Sequence, residues 1–178
     1  MARARKSIAY RKLERPYTRI SKYKKKAFIK TATHKKIARF VAGNPAKTFP
    51  FILHLISKNS LQIRDSALES ARQTATRHLE VNVGLTNFFL QLRKYPFHIL
   101  RENPLAAGAG ADRFSTGMSH SFGKPIGQAA QVHVGEPLFT VGVEARWLEE
   151  AKKALHKARK KLPCQATILI EAMAAVPH

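Results

Sequence analysis

The sequence has little of three things that define whole classes of protein: cysteine, acidic residues and long apolar runs. Of its 178 residues only Cys164 is a cysteine, which excludes a disulfide framework within the chain and a thiolate metal cluster. Apolar stretches such as 48–57 and 81–92 are roughly half as long as a membrane span requires. Residues 1–27 lack the apolar run of a secretory signal. We therefore expect neither a membrane span nor a signal peptide.

The shortage of acids is concentrated at one end of the chain. Overall, 32 Lys and Arg face 11 Asp and Glu, which gives a formal charge of +21. Residues 1–40 hold 15 of the cations and a single acid, Glu14. This asymmetry predicts a basic arm, 1–40, joined to a globular body, 41–171, with a short tail, 172–178. With 44% apolar residues the body can build a core, so the partner of the charged arm is expected to be a polyanion.

Three interpretations of the arm stay open on composition. A transit peptide is acid-poor but also Arg-rich and amphipathic, whereas this arm is Lys-rich from Lys22 and has no clean helical stripe. A membrane-surface segment needs a bulky apolar face, and 22–30 offers few such residues. An arm that binds nucleic-acid phosphates, with Tyr10, Tyr17 and Tyr23 stacking on bases or riboses, is the leading hypothesis. The arm residues expected to contact RNA are Arg3, Arg5, Lys6, Arg11, Lys12, Arg15, Tyr17, Arg19, Lys22, Lys24, Lys25 and Lys26.

The body alternates strand and helix patterns, which predicts an α+β fold with two helices packed on a mostly antiparallel sheet. A helix is expected from Asp65, its N-cap, to Glu80, with Leu68, Ala71, Ala75 and Leu79 on one face. The second helix is expected at 146–161, with Trp147, Ala151, Ala154, Leu155 and Ala158 inward. Strands are expected at 49–56, 87–94, 97–101, 128–134, 137–143 and 166–170, with the fourth and fifth forming a hairpin around Gly135.

A loop at 102–127, rich in glycine and without periodicity, separates two of these strands. So long a stretch inside a compact domain is usually functional or ordered on binding. Two phosphate-binding motifs fail here. Before Gly123-Lys124 the first P-loop glycine is replaced by Met118, and the third glycine of a dinucleotide fingerprint is replaced by Arg113. What remains is a weakly charged loop, with Arg113 and Lys124 as its cations.

Catalytic patterns are sparse. Asp112 and His120 could act as acid and base with Lys124 as charge stabiliser, so an RNA-directed enzyme is kept as the alternative function. No histidine pair has the helical spacing of a metal site, so we predict no metal and no cofactor. His98 and His133 are expected to be packed or RNA-facing, and Cys164 to be a small packing residue.

Several motifs together resemble one family, the large-subunit ribosomal proteins called L-ten-e in archaea and eukaryotes, the counterpart of bacterial L-sixteen. The resemblance covers residues 8–171 in order, and its Arg-Pro-Tyr and Arg-Glu-Asn forms look archaeal. The motifs are RPY at 15–17, RKYPFH at 93–98, LREN at 100–103, AGADR at 109–113, TGM at 116–118, FGKP at 122–125 and VHVGE at 132–136.

The resemblance implies an α/β-hammerhead body and a structural, non-catalytic role in the cytoplasmic ribosome. It implies binding to 23S-type rRNA near the aminoacyl-tRNA site and the 5S rRNA, beside other large-subunit proteins, with the loop directed to bound tRNA. Arg15, Tyr17 and Arg19 would be arm contacts, and Arg93, Lys94 and Arg101 would flank the loop base. Loop positions carried over are Arg113, Gly117, Met118, His120, Gly123 and Lys124. Ser119 and Gln131 stand where the family usually has Arg, which puts a phosphate contact in doubt or moves it to His120 or Lys124.

Overall fold

The computed structural model describes residues 5–19, 21–30, 36–103 and 117–172, and contains two α-helices and eight strands within them. The helices are α1 (Asp65–Asn82) and α2 (Leu148–Arg159). The strands are β1 (Val41–Gly43), β2 (Phe51–Ser57), β3 (Leu61–Arg64), β4 (Phe88–Leu92), β5 (His98–Glu102), β6 (Lys124–Val132), β7 (Pro137–Val143) and β8 (Ala166–Ala172). The predicted α+β class is confirmed. None of the described helices is long and apolar enough to cross a membrane.

The described strands form two antiparallel sheets rather than one. The larger has the order β1-β4-β7-β2-β8 and the smaller the order β3-β6-β5. Both helices pack on each other and contribute to a single core with strands from both sheets. Leu68, Ala71, Ala75 and Leu79 of α1 are fully buried, as their spacing predicts. The inward residues Ala151, Ala154, Leu155 and Ala158 of α2 are confirmed as well, whereas Trp147 is the N-cap of α2 and is partly buried against the core.

The predicted hairpin around Gly135 is wrong. β6 pairs with β3 and β5, whereas β7 pairs with β2 and β4, so the turn carries the chain from one sheet to the other. Gly135 has a φ of 83°, which glycine adopts without strain, and its N–H donates to Ser57 O at 2.9 Å. The turn is therefore fixed to the end of β2. Two strand patterns around a glycine indicate a turn but do not specify which partners the strands take.

β1 and β3 were not predicted, and several boundaries differ from prediction, among them the start of α1 and the extent of the long loop. The N-cap of α1 is Arg64, and Asp65 is its first helical residue, where its carboxylate accepts from the Ser66 N–H at 2.7 Å. The long loop is shorter than expected, since β5 includes Glu102 and β6 begins at Lys124. Pairing of Glu102 with Lys124 and of Leu100 with Gly127 extends β6 through residues of low strand propensity.

Candidate nucleic-acid interface

Residues 11–17 of the arm lie across the smaller sheet and are attached to all three of its strands. The hydrogen bonds run from Gln62 N of β3 to Arg11 O (3.2 Å), from Gln62 Nε2 to Lys12 O, from Gln131 Nε2 of β6 to Glu14 O (2.7 Å), and from Ile99 N of β5 to Tyr17 O (3.0 Å). Every acceptor on the arm is a backbone carbonyl. Residues 11–17 are therefore held without their cationic side chains, which stay available for a ligand.

The cations of this docked segment are exposed. Arg5, which precedes this segment, forms an ion pair instead: its guanidinium Nε donates to the Glu102 carboxylate at the end of β5. That contact raises the pKa of Arg5 above its ordinary value through the hydrogen bond and the opposite charge. Among the arm residues expected to contact RNA, the cations that are exposed and form no ion pair within the described residues are Lys6, Arg11, Lys12, Arg15, Arg19, Lys22, Lys24, Lys25 and Lys26. Arg3 lies outside the described residues.

The second part of the arm folds back on itself. Ile29 N donates to Arg19 O at 3.2 Å, and the Arg19 guanidinium lies 5.7 Å from the centre of the Phe28 ring. Lys24–Lys26 form a single 3-10 turn, with Lys26 Nζ 5.7 Å from the Tyr23 ring centre. Tyr23 is 65% exposed, so this fold-back presents an aromatic ring beside a lysine cluster. Rings and cations in that combination bind single-stranded nucleic acid through stacking and phosphate contacts.

His98 fixes the point where the arm meets β5. Its Nδ1 accepts from the Tyr17 N–H at 3.0 Å, which places the ring proton on Nε2. The side chain is buried, and burial lowers the pKa of His98 below its ordinary value, with Arg101 acting in the same direction and Glu14 opposing it. Protonation of Nδ1 would remove the acceptor and place a charge under the arm.

This arrangement predicts an acid-sensitive arm contact. Since the pKa of His98 is lower in the folded than in the unfolded chain, the unfolded state binds more protons below about pH 6.5 and stability falls there. We expect His98→Gln, whose amide oxygen can still accept from Tyr17, to lose less stability than the parent between pH 7.5 and 5.5 in urea unfolding. His133→Gln is the control, because His133 is exposed. Parallel curves for parent and His98→Gln would contradict the prediction.

Arg101 is clamped between two aromatic rings at the base of the loop. Its guanidinium lies 4.5 Å from the ring centres of both Tyr17 and Phe122, and these rings meet edge to face at 5.9 Å. Tyr17 belongs to the arm and Phe122 to the segment entering β6. The clamp therefore joins arm, β5 and the loop base through one side chain, with cation–π contacts of about 0.5–2 kcal/mol each.

Gly123 allows this clamp to close. A Cβ at this position would lie 2.8 Å from Glu102 N and 3.0 Å from Arg101 Cβ, closer than real Cβ contacts. Any side chain here would push β5 and β6 apart at the loop base. Gly123 therefore has a packing role, while Lys124 is exposed at the first position of β6.

Arg93 and Lys94 lie on the connection between the two sheets and line a cleft of about 510 Å³. The cleft also contains the arm residue Pro16 and the rings of Tyr95 and Phe97, whose centres are 4.6 Å apart. Arg93 is exposed, but Lys94 Nζ is bound to the Glu136 carboxylate at 2.7 Å. Burial acts to raise the pKa of Glu136, but the His133 N–H and Lys94 outweigh it and lower that pKa.

Of the other loop residues predicted to be functional, some lie within the described residues and some lie outside them. Gly117, Met118 and His120 lie in an exposed turn, with Met118 75% exposed and Gly117 at a φ of 62°. Arg113 and Asp112 lie outside the described residues, so the predicted Asp112–His120 pairing stays untested. Within the described parts, no group of histidine, cysteine and acidic side chains could hold a metal. Cys164 is half-buried, and burial raises the pKa of its thiol.

Sequence reasoning missed several residues that build this surface. Arg64 donates to Arg5 O at 2.8 Å and lies 5.8 Å from the Tyr10 ring centre, and Phe122 completes the Arg101 clamp. Gln131, noted for replacing a usual arginine, holds the arm through Glu14 O. These roles depend on contacts between residues far apart in the chain. A polar side chain inside an otherwise apolar strand, such as Gln62 or Gln131, was the one available signal.

Comparison with known proteins supplies the relatives of this chain. Residues 17–169 match the family described as ribosomal protein L16p/L10e. A large ribosomal subunit protein uL16 from Archaeoglobus fulgidus is 43% identical over 91% of this chain and 90% of its own length. Proteins of the same name from Methanococcus maripaludis, at 39% over 93% of both chains, and Thermofilum pendens, at 43% over 88% and 89%, are similar to it as well.

Proposed function

The chain belongs to the ribosomal protein L16p/L10e family, and from this premise we propose that it binds 23S-type rRNA through its arm and supports tRNA near the aminoacyl site through its loop. As a member of this family it is a structural component of the large ribosomal subunit in the cytoplasm and not an enzyme. It associates there with rRNA and other ribosomal proteins. The RNA-directed enzyme is therefore dropped as an alternative.

The observation that carries the rRNA proposal is the way the arm is docked. Backbone carbonyls hold residues 11–17 on the smaller sheet, and the cations of this segment are exposed and lack acidic partners among the described residues. Side chains of this kind bind phosphates and release counterions, which is the main source of affinity for rRNA. The clefts beside the arm, with Tyr95 and Phe97 next to Arg93, add rings on which bases can stack.

The tRNA proposal rests on the position of the loop base. The Arg101 clamp places Phe122, close to one end of the loop, beside Tyr17 of the arm. We propose that the arm anchors the protein while the loop reaches the acceptor arm of aminoacyl-site tRNA. Proximity to the 5S rRNA belongs to the same proposal and is implied by the family resemblance.

Replacement of Lys24, Lys25 and Lys26 with Ala tests the role of the arm. The turn is exposed and holds no buried residue, so the free energy of unfolding should change by no more than about 0.5 kcal/mol. Affinity for deproteinised large-subunit rRNA should fall, and the slope of log K against log salt should lose roughly 2–3 units, as expected for three lost phosphate contacts.

The triple Lys→Arg variant is the matched control, because it keeps the three charges and should keep the slope. A parent slope that corresponds to fewer than about three phosphate contacts would refute the rRNA proposal. Co-sedimentation with large subunits in high salt provides an independent measurement. A parent protein that is recovered free of the subunits would contradict stable incorporation.

A further inference from the structure

A row of three clefts runs from the arm past the C-terminal end of α2 to the side of that helix. Their volumes are about 310, 370 and 350 Å³ in order along the row. The first lies between Arg11 and Pro163, and it shares Gln165 with the second. The second and third share Lys58 and Arg159. Because neighbouring clefts have common walls, they form one continuous depression, which we call the basic track.

The charge of the basic track has one sign. Its cationic lining residues are Arg11, Lys58, Lys152, Arg159 and Lys160, with no acidic residue of the described chain among the walls. Lys152 is paired with Glu149 at 2.7 Å, whereas Arg11, Lys58 and Lys160 form no ion pair among the described residues. Arg159 donates from Nη1 to Ala166 O at 3.3 Å, which holds its guanidinium at the wall between two clefts.

The helix dipole explains part of this charge but not all of it. Cations in the last turn of α2, such as Arg159, are favoured by the negative end of the dipole. Lys58 follows β2 and Arg11 belongs to the arm, so neither gains from that dipole. Three separate parts of the chain thus contribute cations to one depression, although like charges brought together repel each other. The repulsion is relieved when an anion occupies the track.

We propose that the basic track binds a second stretch of rRNA backbone, continuous with the surface that the arm offers. The proposal rests on the rRNA-binding function above and deepens it. No Phe, Tyr or Trp of the described residues lines the three clefts, so the track lacks the aromatic anchors typical of protein interfaces. Cations stand in the walls of all three clefts, and contacts from such side chains to phosphates bind the RNA backbone without reading its sequence.

The test compares two triple variants of the full chain. The track variant replaces Lys58, Arg159 and Lys160 with Ala. The control replaces Lys153, Lys157 and Lys161 with Ala. It removes the same charge from exposed positions of α2 and its C-terminal end that lie outside the clefts. The probe is deproteinised large-subunit rRNA. We expect the track variant to lower the slope of log K against log salt by about 2–3 units, and the control to lower it by less than 1.

A second measurement follows the parent protein in assembled large subunits. Lysine acetylation read by mass spectrometry should leave Lys58 and Lys160 protected and modify Lys153, and ultraviolet cross-linking should join track peptides to RNA. Equal decreases of the salt slope in the track variant and the control would overturn the proposal. Cross-links from the track to an acidic protein instead of RNA would overturn it as well. If the track variant binds rRNA normally while the Lys24–Lys26 variant binds it more weakly, the track proposal is refuted and the arm proposal is supported. If both variants bind rRNA normally, both proposals are refuted.

Discussion

Deletion of residues 105–121 should give a protein that folds and enters the large subunit but supports little translation. β5 and β6 are antiparallel neighbours, with Glu102 opposite Lys124, so residues 103, 104, 122 and 123 remain to connect them. Four residues suffice for a hairpin connection. Phe122 and Gly123 are kept, so the Arg101 clamp is kept as well. The deleted segment is the part of the chain proposed to reach tRNA.

We expect the rate of peptide synthesis by reconstituted subunits to fall at least about tenfold, which corresponds to roughly 1.4 kcal/mol in the barrier. Thermal unfolding of the free variant checks the fold, and sedimentation checks incorporation. A variant with 105–121 replaced by a Gly-Ser segment of equal length separates length from sequence. Normal translation by subunits that carry the deletion would refute the role of the loop, since the protein would then act through its anchored body alone.

Truncation of Phe139 should produce a large loss of stability. Phe139 is fully buried on β7, the middle strand of the larger sheet, where it lies opposite Leu55 of β2 and Leu92 of β4. Phe139→Ala removes apolar contacts and leaves a cavity in the core, beside a sheet that cannot easily collapse into it. The expected cost is about 3–5 kcal/mol, and at roughly 2–4 °C per kcal/mol the melting temperature should fall by about 6–20 °C.

Phe28→Ala is the matched control for this truncation. The same atoms are removed from a ring that is 75% exposed and touches the Arg19 guanidinium, so the cost should stay within about 1 kcal/mol. Calorimetry on the parent and both variants measures the difference. Similar melting temperatures for Phe139→Ala and the parent would show that Phe139 of β7 is not packed in the core. That result would contradict the central position of β7 in the larger sheet.

Periodicity was sufficient to predict both helices and most strands, because it records which side chains face the core. The spacing of Leu68, Ala71, Ala75 and Leu79 identified the buried face of α1. It could not assign strands to sheets. β6 and β7 follow each other closely and look like a hairpin, yet they pair with different partners. Such pairings depend on contacts far along the chain, which local patterns do not contain.

The candidate interface could be predicted in part for the same reason. Clustered cations located the arm, and the family motifs located Arg101 and Gly123. Nothing local indicated that Arg101 stands between Tyr17 and Phe122, since the three residues come from separate segments. The basic track was missed because Arg11, Lys58 and Arg159 are far apart in sequence and only folding brings them to one depression. The predicted domain limits and individual RNA contacts stay predictions.

The attachment of the arm through backbone carbonyls has a consequence for how this protein can change over evolutionary time. Any amino acid supplies a carbonyl, so substitutions at positions such as Arg11, Lys12 and Glu14 can alter the charge and reach of the arm without altering its docking. The donating side chains, Gln62 and Gln131, lie on the body and are the costly ones to replace. Selection can therefore adjust the arm to a drifting rRNA sequence one side chain at a time, while the fold that presents it stays constant.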